Sequence, residues 1–196
     1  MNKVFIGGSI RLSRLNDDIK QRLNNIVQKG YSVLVGDANG VDKAVQQYFF
    51  DKNYRNVFVY CVGEKCRNNV GHWKTKWVKE HSKVKDFHYY TIKDLEMIKD
   101  TDYGFMIWDT KSKGTLNNIV NLLRENKTVI VYVSKDKIFY TLRALSDLEK
   151  LLAKCDKKSL ESLERKLQLS QRAKKKQEEF NFAQQYNPAD SASLRR

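Results

Sequence analysis

Short apolar runs alternate with helically spaced apolar stripes along the first two thirds of the chain. No other feature limits the fold as much, because strand–helix–strand units pack as a mostly parallel sheet covered by helices. Lys3–Ile6 reads as the first strand. Asn16–Lys29 reads as a helix with Ile19, Leu23 and Ile26 on one face, ended by Gly30. Tyr31–Val35 is a second strand closed by Gly36, Val41–Asp51 a helix, and Asn56–Val62 a third strand. Cys66–Asp86 reads as an irregular, basic insertion carrying Trp73 and Trp77. Thr91–Asp94 has the form of a capping box opening a short helix through Lys99. Tyr103–Trp108 is a fourth strand, Thr115–Asn126 a helix and Thr128–Val133 a fifth strand. The expected class is α/β: a Rossmann-like three-layer sandwich on a mostly parallel five-stranded sheet, plus a C-terminal helical extension.

That extension is expected because Ile138, Leu142, Leu145, Leu148 and Leu152 recur at helical spacing, as do Leu160, Leu163 and Leu167. The stripe fails beyond Lys176, and the end after Asn187-Pro188 reads as frayed. The division expected is therefore 1–133 for the globular domain, 134–180 for the helical extension and 181–196 for a flexible tail. The extension's apolar stripes could pack on the sheet, on each other, or on a second copy as a homo-oligomer.

Composition narrows the partners. Among 196 residues, 37 Lys and Arg stand against 23 Asp and Glu, a net charge of +14. Residues 1–133 hold 22 basic and 14 acidic residues, net +8, together with all nine glycines. The shorter remainder is more densely charged, which suits a solvated helix face, a nucleic acid or an acidic partner. A content of 41% hydrophobic and 11% aromatic residues supports a core and argues against full disorder. No apolar run reaches the ~18 residues of a membrane span, and the N-terminus does not read as a signal peptide. Three sparse cysteines point to a cytoplasmic, reducing setting with no disulfide framework. His72, His81 and His88 lack the spacing of a metal motif, so neither metal nor cofactor is expected.

The chemistry is expected at the carboxyl ends of the strands. Three strand ends share glycines, small hydroxyls and a following helix. The first is Gly7-Gly8-Ser9-Ile10-Arg11, where glycine admits a close ligand and Arg11 can fork onto a phosphate. The second is Gly36-Asp37-Ala38-Asn39-Gly40-Val41-Asp42, a helix start that attracts anions. Its acids suit sugar hydroxyls, and Asp42 also suits a capping role. The third is Trp108-Asp109-Thr110-Lys111-Ser112-Lys113-Gly114-Thr115. Ser112, Gly114 and Thr115 suit a phosphate cup, Trp108 could stack on a base, and Asp109 could bind a ribose or act as a base. Trp73 and Trp77, set among Lys74, Lys76, Lys79 and Arg67, read either as one apolar helix face or as a stacking platform for single-stranded nucleic acid.

Taken in order, these loops resemble the SLOG superfamily of Rossmann-like proteins, over residues 3–133. That superfamily includes LOG-type nucleotide phosphoribohydrolases and the DNA-processing protein A family. Residues 36–42 look like its Gly-x-x-x-Gly-x-Asp element, and Asp102–Trp108 followed by Ser112–Thr115 looks like its second signature. Gly8-Ser9-x-Arg11 is also similar to nucleoside deoxyribosyltransferase-like enzymes. The resemblance implies a nucleotide-type ligand, with nucleic acid as the alternative partner. The LOG hydrolases carry a catalytic glutamate where this chain has Asn118, and an arginine where it has Lys93. An amide cannot exchange a proton as a carboxylate does. Binding or sensing is therefore expected ahead of N-glycosidic hydrolysis, with Asp37 and Asp109 as the carboxylates available for catalysis. Gly8, Ser9, Arg11, Gly36, Gly40, Asp42, Trp108, Ser112, Gly114 and Thr115 are the expected ligand contacts.

Overall fold

The computed structural model describes residues 1–79, 87–153 and 161. Seven strands form one sheet: β1 (Lys3–Gly8), β2 (Ser32–Gly36), β3 (Val57–Val62), β4 (Lys74–Val78), β5 (Tyr103–Trp108), β6 (Val129–Val133) and β7 (Ile138–Leu142). Their order is β4-β3-β2-β1-β5-β6-β7, and every neighbouring pair is parallel except β6 with β7. The helices are α1 (Asp17–Gln28), α2 (Val41–Asp51), α3 (Phe87–Asp100), α4 (Lys113–Arg124) and the short α5 (Leu148–Leu152).

Helices cover both faces of the sheet. Ile19, Leu23 and Ile26 of α1 and Val41, Val45 and Phe49 of α2 pack on the even face of β1 (Val4, Ile6), with Val33, Val35, Val57, Val59 and Cys61. Helices α3 and α4 lie against each other, with α3 also on β3 and α4 on β5. Gly104 lets α4 come close, since a Cβ there would run into Leu122. Strands β1, β2, β3, β5 and β6 are buried on both sides, which is why each reads as a nearly unbroken apolar run.

The α/β, Rossmann-like class holds, but the sheet has seven strands rather than five. Lys74–Val78 is a strand paired with β3, not part of an irregular insertion, and Trp73 and Trp77 share no helix. Ile138–Leu142 is a strand antiparallel to β6, not the start of a helical extension. Phe139 lies on Tyr132 and near Phe105, so this hairpin arm belongs to the sheet's own packing. Helix α3 begins four residues before Thr91, which is buried inside it and opens no helix. The expected helical stripe of residues 160–167 and the expected tail of 181–196 lie outside the described residues, apart from Glu161. Among the described residues, no helix is long and apolar enough to cross a membrane.

Cys61 and Cys66 are bonded as a disulfide, which corrects the expectation of unpaired thiols. Cys61 is the next-to-last residue of β3, and after Val62 the chain turns back through Gly63, which holds φ +82°. This turn brings the two Cα atoms to 5.3 Å, well within disulfide reach.

Candidate functional site

Leaving β1, the chain runs through α1 to β2 on one side; β5 lies on the other. The carboxyl ends of β1 and β5 therefore border the switch point where open α/β sheets form a crevice. All three glycine-containing loops meet there. Gly8 must be glycine, because a Cβ would strike Ile107 O and the Val41 side chain. Ser9 is wholly buried: its N–H donates to Ile107 O at 3.0 Å and its Oγ to Asp109 Oδ2 at 2.7 Å. Its carbonyl accepts from Val41 N at 3.2 Å, which joins the first loop to the start of α2. Gly40 holds φ +75° and lies directly against the backbone of Ile10.

The third loop is built around Asp109. Its Oδ1 accepts from Lys111 N (3.0 Å) and Ser112 N (2.7 Å), folding the loop into an Asx turn. Thr110, between them in the chain, holds φ +62°, rare for a β-branched residue. Ser112 caps α4, its Oγ accepting from Thr115 N (3.4 Å) and Thr115 Oγ1 (2.9 Å). Among the described residues, the N–H groups of Lys113 and Gly114 donate to no protein acceptor. A Cβ at Gly114 would meet nothing within 4 Å, so the first turn of α4 is open on that side. Arg11 and Lys111 are exposed nearby in sequence, and Lys113 is half-buried.

Trp108 lies elsewhere than expected. It is completely buried, its Nε1 donating to Ser112 O at 2.9 Å, so no ring face is free to stack on a base. A large apolar ring at a strand's end gains more from the core than from solvent, and the loop carbonyl satisfies its N–H. Ser9 and Asp109 face each other and hold the two loops together.

Beside this edge, at the end of β2, lies a buried cluster of charge. The Asp37 side chain is only 2% exposed and is covered by Arg67. Arg67 N and Nε donate to Oδ2 at 3.0 and 3.2 Å, and Nη2 donates to Oδ1 at 2.6 Å. The Arg67 guanidinium also lies 4.8 Å from the centre of the Tyr90 ring. Asn68 Nδ2 donates to Asp37 O at 2.8 Å, and Val70 N to Gln46 Oε1 at 2.9 Å. Further in, Lys93 is buried and pairs with Asp94 Oδ1 at 2.7 Å. Asn118 Nδ2 donates to Asp94 Oδ2 at 2.9 Å, and Asn118 Oδ1 accepts nothing among the described residues. Gly36 makes this cluster possible, because a Cβ there would collide with Asp42 Oδ2 and lie 2.7 Å from Lys93 Nζ.

The environment separates the acids. Burial drives the Asp42 carboxyl up to about 7 against the pull of Lys93, with Asp94 and Asp37 adding to the rise. Its Oδ2 accepts one hydrogen bond, from Ala38 N at 3.2 Å. For Asp37, burial again favours the neutral acid, but the Arg67 hydrogen bonds outweigh it and hold the carboxyl below its usual range. Lys93 stays firmly protonated, since Asp94 and Asp42 overcome the cost of its burial. One proton-carrying acid beside one permanent carboxylate is the kind of pair that serves acid–base chemistry.

Gly36, Asp37, Gly40 and Asp42 lie together between the end of β2 and the first turn of α2. Arg67, Lys93, Asp94 and Asn118, none of them an expected ligand contact, complete the charge cluster. One signal could have found Arg67: it lies just beyond the carboxyl end of a strand, at the edge where ligands bind.

No protein-family model matches the chain, and no curated protein matches it. Among solved structures, a DNA processing protein A from Helicobacter pylori, studied for its single-stranded DNA binding mode, aligns at 17% identity with a TM-score of 0.48. The match covers 66% of this chain and 64% of that one, so it spans less than two thirds of that protein's length.

Proposed function

We propose that the protein binds a nucleotide or nucleotide-derived small molecule at the carboxyl edge of β1, β2 and β5. The observation that carries this reading is the meeting of three glycine-containing loops at the sheet's switch point, beside an open first turn of α4. The phosphate rests on the N–H groups of Lys113 and Gly114, where the helix dipole and Arg11, Lys111 and Lys113 favour an anion. The sugar and base extend toward the end of β2, where the half-exposed Arg67 covers the buried Asp37. N-glycosidic cleavage is the chemistry that a protonated Asp42 and an ionised Asp37 would serve; binding does not require it.

Gly114→Asp tests the reading cleanly. The position has room for a side chain, and a carboxylate in the first turn of a helix does not weaken that helix. It does repel a phosphate. Thermal shift against AMP, GMP, ADP-ribose and cyclic dinucleotides should show a rise that Gly114→Asp abolishes while its unliganded melting point holds. No rise with any of them rejects the proposal. Release of free base, followed by chromatography, separates an enzyme from a binding protein.

A second reading, nucleic-acid binding, is favoured by Trp77. This ring is 50% exposed on the edge strand β4, with Lys79 exposed two residues further on, while Lys74 and Lys76 alternate to the other face, where Lys76 pairs with Asp100; the chain's net charge is +14. Basic residues interleaved with an exposed ring suit single strands. The test is salt: affinity for an oligonucleotide should fall steeply as ions compete for phosphate, and a flat response rejects this reading.

A further inference from the structure

We propose that the Cys61–Cys66 disulfide is a redox latch that seats Arg67 over Asp37, so that its reduction uncovers Asp37 at the ligand edge. The latch regulates the nucleotide site proposed above, and its bearing on binding rests on that reading.

The two sulfurs differ in what they are tied to. Cys61 is fully buried at the end of β3, in register with Trp77 of β4, and cannot move without the sheet. Cys66 is half-buried on the returning loop. Among the described residues, Glu64, Lys65 and Cys66 have no hydrogen bond to the rest of the protein; Cys66 packs on the core beside β3, and its bond to Cys61 fixes it there. The next residue is Arg67, whose backbone N–H and guanidinium both hold Asp37. Its side chain is 41% exposed while that of Asp37 is 2% exposed, so the arginine is the lid and the carboxylate is the floor. Beyond it, Asn68 and Val70 are held by Asp37 O and Gln46 whatever the state of the sulfurs. Reduction therefore frees the chain on one side of Arg67 and leaves it pinned on the other, as a hinged cover requires.

The step balances with a dithiol reductant, or with two monothiols such as glutathione. A thiolate attacks Cys66 Sγ, the more accessible sulfur, and the Cys61–Cys66 bond breaks. Cys61 leaves as a thiolate and takes up a proton. The second thiol then attacks the mixed disulfide and releases Cys66 as a thiol. Two electrons and two protons pass to the protein, and the reductant becomes a disulfide.

Linkage supplies a test that needs no ligand. If the disulfide strengthens the Arg67–Asp37 contact, that contact must stabilise the disulfide by the same factor. The full chain is equilibrated with reduced and oxidised glutathione at pH 6, where freed thiols stay protonated. Arg67→Gln and Asp37→Asn should each shift the equilibrium toward the dithiol by about fivefold or more, the low end of coupling between sites. Lys65→Gln, inside the same loop, should leave it within about twofold of the wild type, less than that coupling. An unchanged equilibrium in both site variants overturns the latch.

Calorimetry with AMP supplies the second arm. The reduced protein should bind AMP about fivefold more tightly than the oxidised protein. Equal affinity in the two forms overturns the gating. If AMP binds neither form, the nucleotide reading fails, and the glutathione equilibrium alone decides whether Arg67 and the disulfide are coupled.

Discussion

Arg67 reaches across thirty residues of sequence to give three hydrogen bonds to the Asp37 carboxylate. Arg67→Ala removes the two guanidinium bonds and leaves the buried carboxylate with the backbone N–H of residue 67. The expected loss is about 1–3 kcal/mol at pH 7, below the figure for a fully buried pair because solvent reaches the guanidinium. Asp37 is held below its usual range in the folded state, so its contribution exists above the unfolded value near 4 and disappears as pH falls through the lower folded value. Urea unfolding should show the two proteins far apart at pH 7 and converging in acid.

Asp42 has the opposite sign. Its folded carboxyl titrates at about 7, whereas an unfolded aspartate titrates at about 4. The folded state therefore holds the proton more tightly, and the stability this gives is complete below about pH 4 and lost as pH rises to 7. Asp42→Asn keeps the shape without the proton. Wild-type melting points should fall from pH 5 to pH 8 relative to those of the variant. At pH 8 the variant should be more stable by roughly 1–3 kcal/mol. Parallel curves would mean that Asp42 is ionised throughout.

Two glycine-to-alanine changes should differ in sign. Gly36→Ala forces a methyl against Asp42 Oδ2 and Lys93 Nζ, and overpacking of that kind costs about 1–3 kcal/mol. Gly114→Ala enters open space at the start of α4 and should gain up to about 1 kcal/mol from helix propensity. Chemical denaturation of the two variants side by side checks both.

Trp77→Ser bears on the nucleic-acid reading alone. Half of the ring is buried, so its loss should cost about 1–3 kcal/mol of stability without unfolding the sheet, and affinity is compared below the variant's melting point. If single strands stack on it, affinity for an oligothymidylate should drop by about 1–3 kcal/mol in a fluorescence anisotropy titration. An unchanged affinity removes Trp77 from the argument.

The strands legible in the sequence are those sealed on both faces, since burial on both sides leaves no room for polar alternation. The two missed strands, β4 and β7, are the edges. Lys74-Thr75-Lys76-Trp77-Val78 reads as a polar loop because most of its side chains face water. Ile138 and Leu142 read as a helix because a spacing of four is also an even number, and places both on one face of a strand as readily as on one face of a helix. The glycine loops at the site were legible because glycine, serine and aspartate mark turns locally. Of the cluster of Arg67, Lys93, Asp94 and Asn118, the family resemblance marks Lys93 and Asn118 alone, and nothing in the sequence joins the four. Its members come from a returning loop and two helices, and only the folded chain sets them beside β2.

The reversal of β7 has a practical consequence. Running against β6, it delivers Leu142 to the end of the sheet where β1 starts, opposite the loops. Lys3 opens β1 at that same end, joined to Asp102. Strands of five or six residues set the two ends of the sheet roughly 15–20 Å apart. A fluorophore or affinity handle attached ahead of Met1 would therefore enter on the far side from the first turn of α4. Surface immobilisation through that end leaves the glycine loops facing solution, which makes it the orientation of choice for screening small molecules.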